Sequence, residues 1–197
     1  MIFAKIKRMK KILLAAFILV QTTVFAQNSW KGDAAHSKLS FTVTHLGISD
    51  ISGLFKTFDV TVISSKPDFS DASFQLSVDV NSIDTEIEPR DNHLRSADFF
   101  DVATHPKMTF KSTSIAKAGK NKYKVTGNLT LHGVTKPVTM DLWYRGITTN
   151  PMSKATTAGF QLTGTIKRSD FHVGDKFPAP MVSDEVKIKA DGEFIRQ

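Results

Sequence analysis

The chain has 197 residues, no cysteine, and 26 Lys and Arg against 19 Asp and Glu, for a formal charge of +7. The lack of cysteine removes disulfides, thiol nucleophiles and thiolate metal ligands together. Five of the bases (Lys5, Lys7, Arg8, Lys10, Lys11) and none of the acids lie in residues 1–26, leaving 21 bases against 19 acids beyond them. That balance gives no basic face of the kind nucleic-acid partners require.

The first predicted element is a targeting segment. A basic "MIFAKIKRMKK" precedes the apolar "ILLAAFILV", and "VFAQ" places the small Ala26 where a signal peptidase cuts. Polar Gln21, Thr22 and Thr23 stop the run well short of the about 20 apolar residues that a spanning helix needs. Residues 1–26 are therefore expected to be a signal peptide, cleaved near Ala26. The remainder, 27–197, is expected to be one periplasmic or secreted domain, large enough to close a core without staples.

From there the dominant period is two. "KLSFTVTHL" sets Leu39, Phe41, Val43 and His45 against Ser40, Thr42 and Thr44. "FDVTV" sets out Phe58, Val60 and Val62, and "SFQLSVDV" sets out Phe74, Leu76, Val78 and Val80. "KMTFKST" gives Met108 and Phe110, and "KYKVTGNLTL" gives Tyr123, Val125, Leu129 and Leu131. "VTMDLWY" gives Val138, Met140, Leu142 and Tyr144. "GFQLTGTI" gives Phe160, Leu162 and Ile166, and "EVKIKADGEF" gives Val186, Ile188 and Phe194. Alternation of this kind marks half-buried strands, apolar in and polar out. Turn-rich segments separate them, so consecutive strands should pair antiparallel. Eight such strands can close into a barrel with no exposed edges; a sandwich fits the same alternation.

One interval, about Ser82 to Lys107, lacks this period. Within it "RDNHLRSADFFDVATHP" spaces Leu94, Ala97, Phe99 and Phe100 closer to a helical repeat. Asp91 can cap a helix starting at Asn92, and His105-Pro106 should end it. The segment is expected to lie across a barrel end, with Leu94, Phe99 and Phe100 pointing inward. Arg90, Asp91 and His93 would latch its start to neighbouring strands through charge-assisted hydrogen bonds.

Catalytic and metal signatures are weak. There is no G-x-S-x-G elbow. None of the six histidines forms an H-x-x-x-H or H-x-H pair, so neither a catalytic residue nor a metal site is expected. Asp84, Glu86 and Glu88 alternate in "IDTEIE" and would share a face if extended, which reads as a solvated strand end. A binding cavity is the better-supported chemistry, since small-molecule sites have mostly apolar walls with few polar groups. Its expected lining is Phe41, Val43, His45, Phe58, Val60, Leu76, Val78, Leu94, Phe99, Phe100, Phe110, Leu129, Met140, Leu142, Phe160 and Leu162. Small residues at Gly127, Ala158, Gly164 and Ala190 are expected to leave lumen between them.

The motifs "DAAHSKLSFTVTHLGISDISGLF", "NSIDTEIEPRDNHLRSADFFDVATHPKMTF", "GNLTLHGVTKPVTM", "RSDF" and "VSDEVKIKADGEF" together resemble the YceI-like family over nearly all of residues 30–195. The matching positions are His36-Ser37, His45, Gly53, Phe55, Asn81 to Thr85, Arg90-Asp91, His93-Leu94, Phe99 to Asp101 and Leu131 to Thr135. The resemblance implies an exported, lipocalin-like, eight-stranded antiparallel β-barrel that binds polyisoprenoid chains, including isoprenoid-quinone tails, without catalysis. It departs from the family at His172, which stands where glycine is usual, with glycine two residues later at Gly174.

The expected function is thus lipid binding for transport, storage or sequestration, with no required cofactor and a polyisoprenoid or isoprenoid-quinone lipid as ligand. The alternative is an enzyme or redox accessory acting on an isoprenoid quinone, with His45 as the inward polar group. Expected partners are a long-chain apolar small molecule, transient contact with a membrane or membrane proteins, and a homodimer that the resemblance allows.

Overall fold

The computed structural model describes residues 27–197. The expected signal peptide lies outside the described residues. The elements are β1 (Asn28–Gly32), β2 (Lys38–His45), β3 (Ser49–Phe55), β4 (Phe58–Ser64), β5 (Ser73–Asp79), β6 (Ile83–Asp84), α1 (Glu88–Arg95), β7 (Lys107–Gly119), β8 (Lys122–Leu131), β9 (Val134–Thr149), β10 (Thr156–Lys167) and β11 (Glu185–Arg196). The order β1-β4-β5-β7-β8-β9-β10-β11 returns from β11 to β1, closing an antiparallel ring. This is the eight-stranded barrel expected from the alternation, and closure excludes the sandwich.

Two staves of the barrel are broken. β11 pairs with β2 from Lys187↔Thr42 to Asp191↔Lys38, then with β1 from Gly32↔Phe194 to Trp30↔Arg196. Between β1 and β2 the chain makes a 3-10 turn, Ala34–His36, capped by Asp33 accepting from the Ala35 N–H at 2.9 Å. β3 and β4 follow the same course one position over and are interrupted at Lys56-Thr57.

The sequence reading missed β1, β3 and the short β6. The inner face of β3 runs Ile51, Gly53, Phe55, and its alternation is blank at Gly53 because the Phe41 ring lies across that position. The same device corrects the reading of Gly127 and Gly164, whereas Ala190 does border the cavity inside the barrel. A Cβ on Gly127 would collide with Phe110, and one on Gly164 with Met140. These glycines seat neighbouring side chains rather than leave lumen.

The two barrel ends are closed differently. At the end where β4 passes to β5, Phe69 folds inward from the connecting loop, 1% exposed. Its ring packs on Trp30, Tyr144 and Phe160 with centroids 5.3, 4.9 and 4.9 Å apart. Tyr123 donates its hydroxyl to the Asp68 carbonyl at 2.5 Å. Burial, and then the nearby Asp68 charge, raise its phenol above the ordinary value. The opposite end carries α1 with the turns after it, and the loop between β10 and β11.

α1 differs from its expected bounds. It starts at Glu88, with Pro89 in the first turn, where the missing N–H costs nothing. Asp91 is therefore inside the helix rather than its cap. The helix stops at Arg95, where Ser96 donates its backbone N–H to the His93 carbonyl. The chain from Ser96 to Pro106 is turns, so His105-Pro106 ends the covering segment and not the helix. The alternation expected of Asp84, Glu86 and Glu88 is also lost, because Glu86 takes φ 69° and turns the chain.

Candidate functional site

A cavity of about 530 Å³ lies inside the barrel beneath the covered end. From the broken staves it takes Phe41, Val43 and His45 of β2 and Phe58 and Val60 of β4. Leu76 of β5, Phe110 of β7 and Leu129 of β8 continue the wall. Met140 and Leu142 of β9 and Phe160 and Leu162 of β10 close the circle, and Leu94, Phe99 and Phe100 come from the cover. One expected lining residue is misplaced. Val78 is fully buried in the packed wall and does not border the cavity. Its position near the end of β5, paired with Phe58 and Met108, puts larger neighbours between it and the lumen.

Polar groups on the cavity wall are few and cluster at its borders. His45 ends β2, is exposed, and bridges to Val182. It sits on the rim rather than deep in the lumen, which weakens it as the inward group of a redox reading. At the kink between β1 and β2, the Ser37 hydroxyl borders the cavity and is buried without a hydrogen-bond partner among the described residues. The other polar lining residues are Lys38 and Ser40 of β2, Asp191 of β11, and Thr85, Arg90, His93 and Arg168 of the cover.

The cover is held by three hubs, of which the sequence reading named one in part. The first is Thr85. Asp91, 6% exposed, accepts from the Thr85 N–H at 2.9 Å and from its hydroxyl at 2.5 Å. Arg90 donates Nε to the Thr85 hydroxyl at 2.7 Å and Nη2 to its carbonyl at 2.5 Å. Arg90 and Asp91 thus latch α1 to the residue just after β6 and not to neighbouring barrel strands. Five and six residues separate these groups, so the latch is local, and β6 connects it to β3 through Leu54↔Asp84 and Phe55↔Ile83.

The second hub is Arg95. It donates Nε to the Asn81 carbonyl at 2.9 Å, Nη2 to the Ile83 carbonyl at 2.8 Å and Nη1 to Asn92 Oδ1 at 2.9 Å. The third is Arg168, only 7% exposed. Its guanidinium reaches the carbonyls of Ser183 (3.0 Å), Val173 (2.9 Å), Gly174 (2.7 Å), Val182 (3.0 Å) and Phe177. A guanidinium has five N–H donors in a fixed fork, and all five are used to shape the loop between β10 and β11.

His93 works forward rather than back. It contacts Asp98 at 3.3 Å and meets the rings of Phe99 and Phe177 edge-on, 5.1 and 5.4 Å away. Phe99 and Phe177 stack at 4.8 Å with planes 9° apart, and Lys176 pairs with Asp98 at 2.6 Å. Lys176, then His93, holds the Asp98 carboxyl below its ordinary value. The cover and the β10–β11 loop therefore meet through the Phe99–Phe177 stack, the His93–Phe177 edge contact and the Lys176–Asp98 ion pair.

His172, the departure noted in the sequence, caps the turn Arg168–Phe171 in the left-handed region at φ 56°, and its ring bonds to Asp175 at 3.0 Å. The structure also brings together two histidines that the sequence kept apart. His105 and His132 have ring centroids 4.9 Å apart, with Asp101 beside them.

Comparisons agree with this architecture. Residues 30–194 match the family model described as the YceI-like domain. The protein YceI of Salmonella arizonae is 39% identical over 195 residues, covering 96% of this chain and all of that one. The crystal structure of Burkholderia cenocepacia BcnA superposes with a TM-score of 0.72 at 34% identity, covering 82% of this chain and 98% of that one. A polyisoprenoid binding domain from Saccharophagus degradans, at 18% identity and TM-score 0.65 over 85% of this chain and 98% of its own, shares the fold.

Proposed function

Because the chain belongs to the YceI-like family, we propose that its barrel binds one long apolar chain of the polyisoprenoid class, carrying or sequestering it outside the cytoplasm after cleavage near Ala26. The observation that carries this reading is the cavity itself: about 530 Å³, walled mainly by Phe, Leu, Val, Ile and Met, with few polar groups. That volume falls within the roughly 300–1,000 Å³ of small-molecule sites. Each methylene moved from water into such a wall gains about 0.8 kcal/mol, so affinity follows chain length and needs little polar recognition. The polyisoprenoid binding of the Saccharophagus domain supports the ligand class.

The role is binding and not catalysis. The lumen wall is almost wholly apolar, the Thr85 hydroxyl that borders it is spent on Asp91 and Arg90 in the latch, and His45, the one group a quinone reaction would call on, lies at the exposed rim. The test is native mass spectrometry and solvent extraction of the protein purified from its own host. A single co-purifying long-chain lipid, displaced one-for-one by a polyprenol, is expected. Protein that carries no lipid and takes up no polyprenol sinks the reading. N-terminal sequencing of the same material, expected to begin at Gln27, tests export.

A further inference from the structure

Asp101, His105 and His132 converge outside the cavity, where the cover meets the β8–β9 turn. One ligating atom from each lies within 4.8 Å of the others, and all three residues are half-buried. Side chains so placed normally spend their polar atoms on one another or on the backbone. Here the Asp101 carboxylate and the His105 ring make no hydrogen bond or ion pair among the described residues. His132 makes one, its Nδ1 donating to the Phe171 carbonyl at 3.2 Å. That bond fixes the tautomer and leaves Nε2 with the free lone pair. Metal-ligating histidines are oriented in this way, by a carbonyl or carboxylate on the other nitrogen.

The backbone holds the three in place. His132 and Gly133 are the central residues of the β8–β9 hairpin, at φ 50° and 76°, a turn in which Asn or Gly is the favoured first residue. The His105 ring lies against Gly133, so close that a Cβ there would sit 2.7 Å from His105 Cε1. Asp101 also takes a left-handed backbone, φ 43°, and its carbonyl accepts from the His105 N–H at 2.8 Å. Two non-glycine residues held left-handed at one spot are a local strain of the kind that gathers at functional positions.

We propose that Asp101, His105 and His132 form a site for a divalent transition metal, zinc in the first instance, which staples the cover to the β8–β9 turn. Two imidazoles and a carboxylate suit zinc and its neighbours in the first transition row. Bonds of about 2.0–2.2 Å require only a small rotation of side chains already this close, and a three-ligand set leaves one position for water. The metal would join Asp101 and His105, at the end of the covering segment, to His132 on the barrel proper.

The test is calorimetric titration of the untagged, chelator-stripped protein with zinc chloride, with melting followed in parallel. The expected result is one equivalent bound and a zinc-dependent rise in Tm. Asp101→Asn and His105→Asn should each weaken binding at least about 10-fold, the scale on which even supporting residues of a metal site act. His36→Gln should leave it unchanged, although His36 also sits on a carboxylate, Asp33, at 2.9 Å. The two site variants remove different groups, so either one decides if the other does not fold. Absence of saturable binding up to about 1 mM zinc chloride, the weak end of specific affinity, overturns the site. Undiminished binding in a folded site variant does the same.

Discussion

The two ends of this barrel are closed by opposite chemistries. One is filled: Phe69, Trp30, Tyr144 and Phe160 pack ring on ring with no charged side chain among them. The other is roofed: arginines hold backbone carbonyls, and the two parts of the roof meet through a stacked phenylalanine pair, a histidine ring edge-on to one of them and an exposed ion pair. Packed rings add up to stability over the whole fold. Hydrogen bonds to backbone carbonyls fix the shape of a segment and contribute only about 0.5–1.5 kcal/mol each net when water takes their place as the segment opens. An apolar ligand needs that difference, a wall that stays shut and a roof that opens.

The contrast predicts where mutations will act. Phe69→Ala empties the centre of the filled end and should lower global stability by about 3–5 kcal/mol, seen as a reduced midpoint in guanidinium unfolding. Exchange of a bound fluorescent fatty probe should change little, since Phe69 does not border the cavity. Arg168→Met keeps the length of the stem but leaves five carbonyls without their donor, at a local cost of about 1–3 kcal/mol for each one that water does not reach. Probe exchange should quicken by roughly tenfold, which corresponds to about 1.4 kcal/mol. Faster hydrogen exchange should be confined to residues 168–184. If Phe69→Ala speeds exchange more than Arg168→Met, the assignment of wall and roof is reversed.

Acid separates the ends by a second route. Asp71 lies in the loop that carries Phe69. Burial alone would raise its pKa, but hydrogen bonds from the Ser64 and Ser65 hydroxyls and the Ser65 and Lys66 N–H groups outweigh that, holding it at about 2. A carboxyl depressed in the folded state stabilises fully above its unfolded pKa, and that contribution is lost as pH falls from about 4 towards 2. The loss should be on the order of 1 kcal/mol, since solvent screens part of the interaction. Asp71→Asn should flatten this part of the stability–pH curve. An unchanged acid limb would show that other carboxyls govern it.

How much of this could be read in the sequence depended on what each residue faces. Strands with one wet and one dry face announced themselves, and fifteen of the sixteen expected lining residues border the cavity. β3 did not, because its central inward position is a glycine filled from the next strand by Phe41. The roof stands out as the one break in the period, and the Arg90–Asp91 latch with it, yet the holders Arg95 and Arg168 do not. They act on backbone carbonyls, which leave no side-chain pattern to read. Arg168 had one signal, its place in the "RSDF" motif. His105 and His132 stand 27 positions apart, and only the fold of the cover brings them together.

The smallest effect lies at His172, where sequence and backbone disagree. Its φ of 56° is in the left-handed region, where a side chain other than glycine costs roughly 1–2 kcal/mol. The bond to Asp175 offsets part of this, but both side chains are mostly exposed, and such pairs contribute about 0–1 kcal/mol. His172→Gly should therefore raise stability by about 0.5 kcal/mol, after its greater freedom in the unfolded chain is allowed for. The turn also precedes Val173 and Gly174, whose carbonyls Arg168 holds. Relief of strain there should steady the roof without touching the filled end. Paired unfolding and probe-exchange measurements on His172→Gly should show slower exchange and a small rise in the midpoint. A loss of stability would mean that the His172–Asp175 contact outweighs the backbone strain.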